Sequence, residues 1–138
     1  MPFAVAVLDE VDHAGLDEAR AARLFAATFS HRGLDLGRVG EVSVALVDPD
    51  TIRDLNTRFR DKDEPTDVLS FEVDGPYGEM VGEVVVCPAR VSPTMGVEEL
   101  VVHGALHLSG MDHGEDFEGS EMARIQEVVM EEVRGEEG

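Results

Sequence analysis

The sequence is poor in the residues that mark several whole classes of protein. It has a single cysteine, Cys87, so it can form no internal disulfide, Cys-rich zinc site or iron–sulfur cluster. It has no tryptophan, and aromatic residues make up only 5% of it. Cations are scarce: 11 Lys and Arg face 30 Asp and Glu, a formal charge of −19. That balance excludes a protein that holds polyanions by a broad basic surface. No apolar run approaches the roughly 18 residues of a membrane span. The first residues, MPFAVAVLDEVD, lack the basic flank of a secretory signal. The expectation is a cytoplasmic protein with no membrane partner, folded as one domain over residues 1–138.

What is present supports a packed core. Hydrophobic residues reach 43%, too many for a disordered acidic chain. Their spacing alternates between strand and helix patterns. Residues 3–8 and 42–47 read as short strands, with an amphipathic helix between them over 16–31. Asp48 followed by Pro49 is a cap and a first-turn proline, which start a second helix that runs to about Arg60. Residues 68–73 and 81–87 read as strands joined by the turn DGPYG. Residues 97–108 are apolar on nearly every side, the mark of a central, buried helix. A last amphipathic helix covers 117–134. The predicted fold class is α+β: a small mixed four-stranded sheet with helices packed on it, one parallel βαβ unit and one hairpin.

The segment VVHGALHLSGMDHGED carries the strongest chemical signal. His103 and His107 stand four apart, so both imidazoles lie on one face of the central helix, one turn apart. Gly110 turns the chain out of the helix, and His113 follows three residues later. This is the ligand spacing of the long zinc-protease motif. Imidazole suits a borderline cation such as Zn2+, though nickel and other divalent metals also accept three His. Three protein ligands leave a fourth position for water, which marks a catalytic site. The alternative is a set of unrelated core histidines, but a buried apolar helix is an expensive place for two of them. The protease motif has a glutamate directly after its first His, and here that position is Gly104. Asp112 is the nearest carboxylate by sequence, either as a helper that activates water or as a partner that orients a ligand His.

A second segment, LNTRFRDKDEPTDVLSF, holds Arg58, Arg60 and Lys62, with Arg53 just before it. Its acids offset the charge, so one reading is an exposed helix end with internal ion pairs. The other is an arginine aimed at an anion, because a planar guanidinium grips a phosphate at two points. Asn56 lies one turn before Arg60 and is expected to reach the same ligand. Thr66 and Asp67 read as a turn into the next strand.

Together, HGALHLSGMDH, LNTRFRDKDEPTDVLSF and GEVVVC resemble the YbeY family of bacterial metal-dependent endoribonucleases, over about residues 44–130. The resemblance implies a single-strand-specific endoribonuclease that matures the 3′ end of small-subunit ribosomal RNA and acts in ribosome quality control. It implies an rRNA precursor as substrate and the small ribosomal subunit or its proteins as partners. It places the family's metal ligands on His103, His107 and His113, with one Zn2+ per chain, and its functional arginine on Arg60. Two departures stand out: Met111 where the family often has an aromatic, and a short connection from Cys87 to Val97. Spacing alone leaves two other readings: a metallopeptidase-like hydrolase, which Gly104 argues against, and a non-catalytic, metal-stabilised module associated with the ribosome.

Overall fold

In a computed structural model, residues 3–13, 15–111 and 120–135 are described. The elements run β1 (Ala4–Asp9), α1 (Glu18–His31), β2 (Val39–Leu46), α2 (Pro49–Arg60), β3 (Val68–Asp74), β4 (Met80–Val86), α3 (Val97–Leu108) and α4 (Glu121–Gly135), with short 3-10 turns at Leu36–Arg38 and Pro88–Arg90. The sheet order is β1-β2-β4-β3. β1 and β2 pair in parallel, β2 and β4 pair in parallel, and β3 runs antiparallel to β4. The mixed sheet, the βαβ unit and the hairpin are all as the hydrophobic spacing predicts.

Strand alternation sends Val42, Val44 and Leu46 of β2, and Val84 and Val86 of β4, into one core with α1, α3 and α4. The opposite face receives α2, where Ala45, Val85, Leu69 and Cys87 meet Ile52. The Cys87 thiol is wholly buried there, and burial pushes its pKa up, as in an inert core thiol.

α3 is the central helix. Leu100, Val101, Val102, Ala105 and Leu106 are all fully buried. It lies close on β4 because its facing position is glycine: a Cβ on Gly104 would sit 2.5 Å from Cγ1 of Val84. Gly82 plays the same part from the sheet side, where a Cβ would meet Leu108 at 2.8 Å. Both ends of α3 are tied to α1. Arg20 grips Glu98 with two bonds, of 2.7 and 2.9 Å, and Arg32 donates to the Ser109 hydroxyl at 2.9 Å. The last helix is described from Glu121, with the Ser120 hydroxyl accepting from the Ala123 amide as its cap. The start expected at Phe117 lies outside the described residues.

Candidate metal and RNA-cleavage site

The site is built where a buried helix and an exposed one approach the same edge strand. From α3 come His103 and His107, whose ring centroids lie 4.9 Å apart. His103 is 8% exposed and held by the packing of α3. The Nδ1 of His107 lies 3.0 Å from the Met111 carbonyl. A carbonyl only accepts, so Nδ1 is the donor in this bond. This is how ligand histidines are usually oriented, with one nitrogen fixed by a protein acceptor and the other offered to a metal. Two imidazoles one turn apart, with ring centroids this close, fit a borderline divalent cation. Among the described residues no third His, Cys, Asp or Glu joins them. His113, the third ligand expected from the spacing, and Asp112 both lie outside the described residues.

The other wall comes from the end of α2. The helix starts on the Asp48 carboxylate, which accepts from the Thr51 amide at 2.7 Å. That bond holds the Asp48 carboxyl below the usual carboxylate range. The helix stops at Asp61, which adopts the left-handed conformation (φ 58°, ψ 38°). The amides of Asp61 and Lys62 both donate to the Asn56 carbonyl, and the Asn56 side-chain amide donates to the Glu64 carbonyl at 2.9 Å. Asn56 is 4% exposed. The structure therefore separates the two residues that helical spacing grouped together. Asn56 folds the loop over 61–64 back beneath the helix, while Arg60 reaches outward.

Arg60 is fixed by two contacts on β3. Its Nη2 donates to the Ser70 carbonyl at 2.7 Å, and its guanidinium lies over the Phe71 ring at 5.3 Å. One of its five N–H groups is spent on Ser70, so the rest stay available to an anion. A cleft of about 450 Å3 brings the two walls together, with Arg60 and Lys62 on one side and His103 and His107 on the other. Thr66, Asp67 and Ser70 line it between them. Asp67 is the one carboxylate among the described lining residues. Thr66 and Asp67, expected in a turn, thus also line the cleft, while Ser70 and Phe71 hold Arg60 with no signal in the sequence pattern. Strand alternation shows which face a side chain takes but not which cation will reach it.

The protease-type glutamate has no room here. The Val84 side chain fills the space beside Gly104, where any Cβ would collide. Cys87 packs on the α2 face of the sheet, away from the α3 core.

A family model described as Endoribonuclease YbeY matches residues 8–134. A protein of Rubrobacter xylanophilus named Endoribonuclease YbeY is 65% identical over 136 residues, covering 98% of this chain and 99% of that protein. One of the same name from Mycolicibacterium gilvum is 34% identical over 88% of this chain and 79% of its own length. A Thermotoga maritima protein of known solution structure shares the fold, with a TM-score of 0.59 and 33% identity over 96% of this chain and 90% of its own. Among the described residues no helix is long and apolar enough to cross a membrane.

Proposed function

The chain belongs to the endoribonuclease YbeY family, and from that premise we propose that it is a metal-dependent endoribonuclease cutting single-stranded RNA in the cleft between α2 and α3. The observation that carries this reading is the meeting, in one cleft, of two histidines one turn apart and an anchored arginine. Neither group alone favours a phosphodiester. Together they supply a cation site and a bidentate phosphate grip within one substrate's reach.

His103 and His107 would hold the metal together with His113, with Asp112 as the carboxylate that would orient a ligand or assist its water. Zinc suits three imidazoles, and one ion binds per chain. A metal held there would supply Lewis-acid chemistry at the phosphate and a more acidic water. Arg60 binds the scissile phosphate and neutralises charge that builds on its oxygens as the bond breaks. The Ser70 carbonyl and the Phe71 ring hold the guanidinium in place before substrate arrives. Asn56 serves the substrate indirectly, by fixing the loop that carries Lys62.

The substrate class is an rRNA precursor, and the small ribosomal subunit or its proteins are the partners. A charge of −19 repels free RNA at long range. A ribosomal partner that brings the strand to the cleft removes that barrier. The setting is the cytoplasm, and residues 1–138 act as one domain.

The test is cleavage of a single-stranded RNA beside an unstructured peptide, with bound metal counted by elemental analysis. The expected result is RNA cleavage alone, at about one metal per chain. His107→Ala loses metal and cleavage together. Arg60→Ala keeps its metal and fold but loses about 10²–10³-fold in rate. Peptide cleavage, or an Arg60→Ala variant as fast as the parent, overturns the assignment.

A further inference from the structure

Arg60 is one end of a longer ladder. Its guanidinium lies over Phe71, and the Phe71 ring meets Phe59 edge-on, with centroids 5.3 Å apart and planes at 69°. The Arg58 guanidinium in turn lies 5.7 Å from the centre of the Phe59 ring. Phe71 is partly covered, but Phe59 is 56% exposed. An exposed phenylalanine costs solubility unless something covers it, and this one, flanked in sequence by Arg58 and Arg60, packs on Phe71 just outside the residues that line the cleft. Arg58 is itself only loosely held, by a 3.3 Å contact to Asp54 in which both side chains are more than 60% exposed.

We propose that Phe59 is a stacking platform for one unstacked base of the RNA, next to the phosphate held by Arg60. The inference rests on the endoribonuclease reading and adds to it the source of single-strand selectivity. Sites that take single strands without reading sequence combine aromatic faces with arginines that follow the backbone. A base whose two faces are already stacked in a duplex has none to offer Phe59. Arg58, on the same ring, supplies a second cation for the adjoining phosphate.

The chain has no tryptophan, so Phe59→Trp installs a single fluorescent reporter at the platform. The full, metal-loaded variant is titrated with a short single-stranded 2′-O-methyl RNA and with the same sequence as a duplex. Quenching by the single strand and not by the duplex is expected. Phe59→Leu keeps an apolar contact with Phe71 but has no aromatic face, and should bind the single strand about 10-fold more weakly at an unchanged melting temperature. Equal quenching by both forms, no response to either, or a Phe59→Leu variant that binds as the parent does overturns the platform. Cleavage of natural RNA is followed separately. Quenching without cleavage would sink the endoribonuclease reading and leave the platform standing, and cleavage without quenching would do the reverse.

Discussion

The two helices that meet at the cleft are held in opposite ways. α3 is fixed by burial: five of its side chains are fully buried, and both ends are tied to α1. α2 buries only Ile52 and Asn56. Its working end is held by point contacts: the Ser70 carbonyl and Phe71 ring on Arg60, and the Asn56 amide beneath the loop. Under the proposed function the division suits two tasks. A metal site needs ligand positions that do not drift, and close packing is stiff. A substrate-gripping arginine must meet a strand that enters and leaves, so it sits at the surface on a few directed contacts.

The comparison is broken most sharply on the α2 side. Arg60→Lys keeps the charge but loses the fork, and one ammonium cannot both bond Ser70 and grip a phosphate in two places. Cleavage should fall about 100-fold, while metal content and melting temperature stay put. A lysine variant within a few-fold of the parent would show that charge alone matters and that the Ser70 and Phe71 anchors are incidental.

On the α3 side the vulnerable atom is one that is missing. Gly104→Ala drives a methyl group into Val84, which must shift or push the helix off β4. Overpacking of this kind costs about 1–3 kcal/mol. Urea unfolding should show that loss, and metal affinity should weaken with it because His103 and His107, the proposed ligands, ride on the displaced helix. Full stability in the alanine variant would mean that α3 is held less tightly than its contacts imply.

The same contrast governs how much could be read from the sequence. α3 was legible end to end, because an all-round apolar run has one reading and two histidines four apart share one face. The start of α2 was equally plain from Asp48 and Pro49. Its far end was not. Asn56 and Arg60 are also four apart, yet the left-handed turn at Asp61 sends the chain back under the helix and draws the Asn56 amide to Glu64. Ser70 entered the site through its backbone carbonyl, which no side-chain pattern can announce. Phe71 looked like one more strand residue, and its part depends on β3 lying at the sheet edge beside the end of α2. His113 and Asp112 rest on spacing and resemblance alone.

Asn56→Ala tests whether the loop matters apart from the arginine. The Glu64 carbonyl would lose its donor, at about 0.5–1.5 kcal/mol. Cleavage should drop by less than in Arg60→Lys, mainly through weaker RNA binding, because Lys62 rides on the loop and Arg60 keeps its own anchors. A collapse in turnover as deep as that of Arg60→Lys would place Asn56 in contact with substrate, as its helical spacing first suggested.

The smallest effect belongs to the ion pair on the outside of that loop. The Arg53 Nε donates to the Asp63 carboxylate at 2.8 Å, with both side chains at least half exposed. That hydrogen bond, with the attraction of the guanidinium, lowers the Asp63 pKa from its ordinary 3.8. A carboxyl with a lowered folded-state pKa adds stability above its unfolded value. It loses that stability as pH falls through the folded one, because both states are then protonated. Asp63→Asn should therefore be slightly less stable than the parent at neutral pH, and the gap should close in acid. Salt should narrow it as well, since an exposed pair is screened. A gap that persists unchanged into acid would mean that Asp63 holds the loop by a bond to something other than its charge, and the α2 side would then be more rigidly built than its few contacts suggest.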